Sequence, residues 1–520
     1  MLVWLGLFGV AVLVAAAVVL PVRTAQVGYD TAASVLYFDR IVVGHRLEAF
    51  LSVTPKPLLT VVDGLVHALI SDWRAISWLA IVVYGLDVVL AARLVRRLAG
   101  RAAAGFAAGA LIASSALLSD VALAYAVTWA LLGWLIAGTA LTTHGSPRYA
   151  LAGVGLLLAA TARFESNLLS VAALVVLAAW SWRSRGDPSA APPRRAWLLA
   201  VGMVALPIQG LHDWLLSGDP LYSLSVPVRG TPSGELLGPF GRLAWLVGRE
   251  LDGGAMLVLA VAGVAALVAA RRWSIVAGLA VLGPGVAAFL VWLEVRHVYV
   301  SSRYAAPLDL AIAIAAAVGY GAALAPGLAT VASRVRDRFG RGIPASPGRL
   351  RASIIVVGVA IVAGAVFASP FGPLSPAVVG TSRSNLTLHA NANAAEVAIR
   401  ATLPTVARLG TAAGGFGEGD DPLRGATVLV PVLLRPQMAL DLDLDLTAIV
   451  GLGSDDLDPA HLRIHPGQLI YHDRRGDEPD SRFDILESTQ PSALGPFVVV
   501  PVASDPRLGW WLVRIDQGSG

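Results

Sequence analysis

The chain has 520 residues, of which 56% are hydrophobic and only 14% charged, with a mean hydropathy of +0.69. A soluble domain carries roughly a quarter charged residues, so this composition excludes an ordinary soluble protein and points to a polytopic α-helical membrane protein. No cysteine occurs, which excludes a disulfide framework and a thiolate-ligated metal. The pI near 9.5 does not mark a nucleic-acid binder, because the arginines gather at the ends of apolar runs, where topology explains them.

In chain order, eleven apolar runs qualify as candidate spans: 2–21, 75–95, 102–118, 121–142, 149–162, 167–182, 196–214, 254–270, 274–293, 305–325 and 352–369. The first lacks a basic leader and a small-residue cleavage site before Arg23, so it reads as an uncleaved helix and not a signal peptide. Arginine placement tests the order. Arg93, Arg96, Arg97 and Arg101 follow the second run, and Arg148 precedes the fifth. Arg183, Arg185, Arg194 and Arg195 follow the sixth, Arg271 and Arg272 the eighth, and six arginines between 334 and 351 the tenth. All fall on one side if the N-terminus is cytoplasmic, as the positive-inside rule requires. Segments 22–74, 163–166, 215–253, 294–304 and 370–520 then face outward. The run Leu58 to Ile70 would reverse this pattern if it spanned. It also carries Asp63 and His67, and a central Asp costs about 2.5–3.5 kcal/mol on insertion scales. It is therefore expected to be an interfacial or partly re-entrant helix on the outer face.

Beyond Phe367 the acids become frequent and short apolar runs alternate with turns. Thr427 to Val432, Leu469 to Tyr471, Phe497 to Val500 and Trp510 to Ile515 read as strands, and Glu396 to Leu409 as a helix. Two domains are expected: a membrane domain over 1–370, with outer loop 22–74 carrying interfacial helices, and an extracytoplasmic α/β or α+β domain over 371–520. Thr381 to Ala394 reads as the linker. Asp441, Asp443 and Asp445 alternate with leucine and read as one face of a strand. Asp87, inside the second run, reads as an interior hydrogen-bonding partner.

Polar residues converge from four outward segments. Gly28-Tyr29-Asp30, Asp39-Arg40 and Thr54-Pro55-Lys56-Pro57-Leu58 come from the first, and Lys56 is the single lysine of the chain. Arg163-Phe164-Glu165 forms a tight turn between two apolar runs. Charges at that depth face a protein interior or a wet cavity, and a mutual ion pair closing the hairpin is the alternative. Ser217-Gly218-Asp219-Pro220-Leu221-Tyr222 comes third; Glu294, Arg296, His297, Arg303 and Tyr304 come fourth. His461, His465 and His472 lack a regular metal-ligand spacing.

This ordered series resembles the GT-C superfamily of integral-membrane glycosyltransferases, such as protein O-mannosyltransferases and lipid A aminoarabinose transferases. The resemblance rests on Asp30 just after the first run, with Asp39 at a second acidic position, and on Thr54-Pro55-Lys56-Pro57-Leu58 at the loop's end. The Arg163-Phe164-Glu165 turn, Gly218-Asp219-Pro220-Leu221 and Arg303-Tyr304 with Pro307 complete it. It covers roughly residues 1–370. It implies a glycosyltransferase of the cell membrane that uses a polyprenyl-phosphate sugar as donor and an envelope glycan, lipid or protein as acceptor. Asp30 or Asp39 would be the base. Lys56, Arg163, Glu165, Asp219, Arg296, His297, Arg303 and Tyr304 would bind substrate. No clean Asp-Asp, Asp-x-Asp or Gly-Asp-Glu occurs, which leaves a divalent-metal requirement open. A transporter or lipid flippase, or a membrane-anchored assembly protein, are the other classes that the composition admits. The first would place ionisable residues at the bilayer midplane in matched broken helices; the second would need far fewer spans.

Overall fold

The computed structural model describes residues 2–19, 27–47, 51, 53–143, 147–186, 191–224, 255–295, 304 and 306–324, and, further on, 397–399, 401–402, 428–431, 434–442, 444, 449–452, 468–473, 492–494, 497–505 and 510–517. The apolar runs become helices: α1 (Leu2–Val19), α2 (Tyr29–Val43), α3 (Pro57–Ile70), α4 (Trp73–Ile112), α5 (Ser115–Ala122), α6 (Val127–Leu141), α7 (Tyr149–Ala162), α8 (Asn167–Arg183) and α9 (Ala205–Ser217). Helices Ala255–Ala269, Trp273–Ala280, Val286–Val295 and Ala306–Gly319 follow. The run 352–369 and the helix expected to 409 lie largely or wholly outside the described residues.

Among the described residues, four helical segments are long and apolar enough to cross a bilayer: Trp73–Ile112, Phe164–Arg183, Arg194–Ser217 and Ile275–Leu293. Leu2, Val3 and Leu13 on α1, Val258 and Val261 on Ala255–Ala269, and Trp292 are exposed. Such apolar surface is stable only under lipid or a partner. α4 is the hub, touching α1, α3, α5, α6 and the helix Ala306–Gly319. It joins two of the expected runs without a loop. At Gly100 the backbone adopts φ 88° and ψ −169°, a conformation only glycine takes cheaply, and helix resumes at once. The third and fourth runs are recut as well. Helix breaks after Ile112, α5 follows, and Ala124 at φ 52° turns the chain into α6. The ninth run carries a π-helical turn, Val281–Gly285, around Pro284, whose ring cannot sit in a regular ladder.

The helix ends sort into two poles. At one, Arg96 lies 5.5 Å from the ring centroid of Trp4. Arg97 there donates to the Thr139 carbonyl at 2.6 Å, satisfying an orphan group at the C-terminus of α6. Helix α7 starts at this pole, where the Arg148 amide donates to the Ala140 carbonyl. At the other pole, the Gly28 amide donates to Leu123 O at 2.9 Å and Thr31 Oγ1 donates to Ala124 O at 2.8 Å, docking the start of α2.

Asp87 is fully buried in α4, and neither carboxyl oxygen has a hydrogen-bond partner among the described residues.

The C-terminal strands are β1 (Val428–Pro431), β2 (Ile449–Leu452), β3 (Leu469–Asp473), β4 (Ser492–Leu494), β5 (Phe497–Asp505) and β6 (Trp510–Gln517). They form one sheet in the order β2-β1-β3-β6-β5-β4. β1 pairs in parallel with β2 and β3, while β6, β5 and β4 run antiparallel, giving a mixed sheet. Asp441 corrects the sequence reading: it lies in a helix, Arg435–Leu442, and not a strand. Pro436 sits in the first turn, where its missing N–H costs nothing, and Met438, Ala439 and Leu442 give the helix a buried face. That face shares a core with α2. Val428, Leu434, Met438, Leu469 and Leu512 pack with Ala33, Leu36 and Tyr37 of α2 and Leu216 of α9.

Candidate active site

Asp30 and Lys56 meet. Gly28 caps α2 where a Cβ would lie 2.4 Å from the Tyr125 ring, so the close approach that docks α2 requires glycine. Two residues on, Asp30 occupies the first helical turn, where a carboxylate is favoured by the helix dipole. Lys56 is the residue before α3, extended at φ −126° and ψ 93°, as the following Pro57 demands. Its Nζ lies 3.2 Å from Asp30 Oδ2 and 3.1 Å from the Thr54 carbonyl. The two side chains are only 10% and 15% exposed, which makes this a largely desolvated ion pair.

Asp39 is elsewhere. It lies nine residues after Asp30 on α2, about two and a half turns, and so on the opposite face. Its carboxylate is half exposed, 4.0 Å from Arg40. The two acidic positions do not share a site.

Arg163 and Glu165 form an ion pair across the 3₁₀ turn Phe164–Ser166, and both are largely buried. The Arg163 guanidinium also lies 5.2 Å from the ring centroid of Tyr304, so the second and fourth outer segments touch. Asp219 is exposed, and its Oδ1 accepts from the Leu221 amide at 2.9 Å, so it closes its own turn. Arg296, His297 and Arg303 lie outside the described residues. Among the described residues, no three His, Asp or Glu side chains converge as metal ligands.

Around the Asp30–Lys56 pair lies a polar layer that sequence reading missed. Gln209 Nε2 on α9 is 3.2 Å from the Pro55 carbonyl, 2.8 Å from Asp213 Oδ1 and 2.7 Å from Ser223 Oγ. Asp213 is 1% exposed, and its Oδ2 accepts from the Ser223 amide at 2.8 Å. His212 Nε2 is 3.0 Å from Thr60 Oγ1. Tyr37 donates to the Val53 carbonyl at 2.9 Å. Burial raises the Tyr37 hydroxyl well above its usual value, and the nearby Tyr222, Tyr29, Asp30 and Asp213 push the same way. The available signal was Gln209, His212 and Asp213 inside or beside an apolar run, where polar groups face the interior.

α3 packs on α2, α7 and α9, so the elements carrying Asp30, Lys56, Arg163 and Asp219 are neighbours. No protein-family model and no curated protein matches the chain. Among solved structures, ArnT from Cupriavidus metallidurans in the apo state is similar, with a TM-score of 0.55 at 14% identity over 98% of this chain and 97% of that one. ArnT from the same organism bound to undecaprenyl phosphate gives 0.51 at 15% identity, over 99% and 98%. The chain is a membrane protein that shares the fold of these ArnT structures.

Proposed function

We propose that the chain is a glycosyltransferase that moves a sugar from a polyprenyl-phosphate donor to an envelope acceptor at the outer face of the cell membrane. The observation that carries this reading is the desolvated Asp30–Lys56 pair at the pole opposite the arginine-rich helix ends. The same polarity supports a multi-pass arrangement of about eleven spans, with the N-terminus cytoplasmic and the sheet outside. Residues 1–370 would be the membrane domain and 371–520 the extracytoplasmic one.

The chemistry follows from the pair. The donor phosphate competes with Asp30 for the Lys56 ammonium and releases the carboxylate. Asp30 accepts the proton of the acceptor hydroxyl, whose oxygen attacks the anomeric carbon. The bond from that carbon to the phosphate oxygen breaks, and the electron pair leaves on the phosphate, held by Lys56. Arg163, Arg296 and Arg303 are further phosphate-holding candidates, and Tyr304 supports Arg163. The hexosyl or pentosyl identity of the sugar is left to the assay.

Lys56→Ala should weaken binding of undecaprenyl phosphate about tenfold to a hundredfold, since a charge-assisted hydrogen bond contributes about 1.5–3 kcal/mol. Lys56→Arg should restore only part, because guanidinium is planar and longer. Removing one partner of a buried pair strands the other charge, so Asp30→Asn/Lys56→Met is the folded control. Asp30→Asn should cut transfer about 10²–10⁴-fold while donor binding persists. Unchanged donor affinity in folded Lys56→Ala would end the phosphate role of Lys56 and leave it to the arginines.

A further inference from the structure

The polar layer beneath Lys56 is built around a backbone carbonyl. The segment Thr54-Pro55-Lys56-Pro57 offers few amide donors, because two of its residues are prolines. Its geometry is therefore held by what donates to its carbonyls. Two such donors are visible. Lys56 Nζ itself reaches back to Thr54 O at 3.1 Å, and Gln209 Nε2 reaches Pro55 O at 3.2 Å from α9.

The Gln209 amide is locked in turn. The Pro55 carbonyl oxygen carries no proton, so the amide end facing it is the nitrogen. Its two protons serve three acceptors, Pro55 O, Asp213 Oδ1 and Ser223 Oγ. Ser223 Oγ, 2.7 Å away, donates to Asp213 Oδ1 at 2.8 Å, and the Ser223 amide donates to Oδ2. Asp213 thus collects three neutral donors while 1% exposed, and Gln209 is 5% exposed. A network so enclosed holds the amide in place, because turning it over would set the amide oxygen against the Pro55 carbonyl and leave a buried acceptor unpaired.

We propose that Gln209, oriented by Asp213, is a positioning residue that aims the Lys56 ammonium by holding the Pro55 carbonyl. Neither residue touches the reacting atoms. The proposal rests on the phosphate-binding role of Lys56 given above, and it predicts that Gln209 matters only while Lys56 is present.

The test is a double-mutant cycle read as affinity for undecaprenyl phosphate in detergent, with thermal unfolding as the check on folding. Gln209→Met keeps the length and removes the donor, and it should weaken binding about 3–10-fold. Gln209→Glu serves if methionine fails to fold; it puts an oxygen against the Pro55 carbonyl and should weaken binding at least as much. In the Asp30→Asn/Lys56→Met background, neither substitution should weaken binding further, because the ammonium they aim is gone. Equal losses in both backgrounds, or unchanged affinity in a folded Gln209 variant, would overturn the positioning role alone. Wild-type affinity in the Asp30→Asn/Lys56→Met protein itself would instead overturn the phosphate reading and the inference with it.

Discussion

At the scale of single residues, two ionisable groups of α3, one buried and one half-buried, respond to pH with opposite signs. Asp63 is 2% exposed, and one of its carboxyl oxygens has no hydrogen-bond partner among the described residues. Burial raises its carboxyl well above the usual range. His67, one turn later, is lowered by burial, with Asp39 pulling weakly the other way. For Asp63 the folded state holds the proton longer than the unfolded state. Its contribution to stability is therefore full below the ordinary carboxylate value of about 4 and is lost as pH rises toward the raised folded value. The His67 contribution is full above about 6.5 and is lost as pH falls below it. Asp63→Asn keeps a neutral polar group and removes the first dependence. Between pH 5 and 8 in detergent, the variant should gain on the wild type by up to about 1.4 kcal/mol per pH unit until the buried carboxyl ionises. A stability difference that stays constant across that range would show that Asp63 ionises freely.

At the scale of elements, close helix packing decides which glycines are irreplaceable. Helix Ala255–Ala269 meets helix Ala306–Gly319 through Gly263 and Gly319. A Cβ on Gly263 would lie 1.8 Å from the Ala315 carbonyl oxygen, and one on Gly319 would lie 2.0 Å from Leu259 O. Small residues at such crossings let backbones approach where lipid supplies no hydrophobic drive. In an open helix, alanine in place of glycine stabilises by about 1 kcal/mol. Gly278, with nothing within 4 Å, should behave that way. Gly263→Ala should do the reverse and cost about 1–3 kcal/mol, since backbone must move to admit the methyl. Melting temperatures of the two variants in one detergent compare them directly, and a Gly263→Ala protein as stable as Gly278→Ala would refute the crossing.

At the scale of the whole molecule, the C-terminal sheet is coupled to the site it accompanies. Tyr37 packs in the core shared with β1, β3 and β6, and the same ring lies edge-on to His212, with ring centroids 6.4 Å apart. Arg40 at the far end of α2 reaches the Leu444 carbonyl at 3.5 Å. The helix that presents Asp30 is therefore held between the bundle and the sheet, which is more than a tethered appendage would do. The proposed topology has a direct test in this cysteine-free chain. Cysteines at Ala345→Cys, in the arginine-rich segment, and at Ser504→Cys, on an exposed position of β5, should differ toward an impermeant thiol reagent in intact cells. Labelling is expected at 504 and not at 345; the opposite pattern would invert the molecule.

The sequence by itself determined where helices form and which of their ends are basic. The bilayer requires long apolar runs, and arginines collect at one set of ends, so both signals are local and additive along the chain. On that basis the limits of α7, α8 and Ala255–Ala269 were legible to within a residue or two, as were β1, β3 and the starts of β5 and β6. It also marked Asp30 and Lys56 as chemistry-bearing residues of one loop. Only the tertiary structure decided which of the marked residues meet. Asp39 turned away because α2 is a helix, and helical rotation separates residues that a loop would have kept together. Gln209 and Asp213 came under Lys56 because α9 packs on α3, a contact between segments some 150 residues apart that no local period encodes. Hydropathy records each residue's preference for lipid or water; pairing depends on how whole helices cross, and that is settled only when they pack.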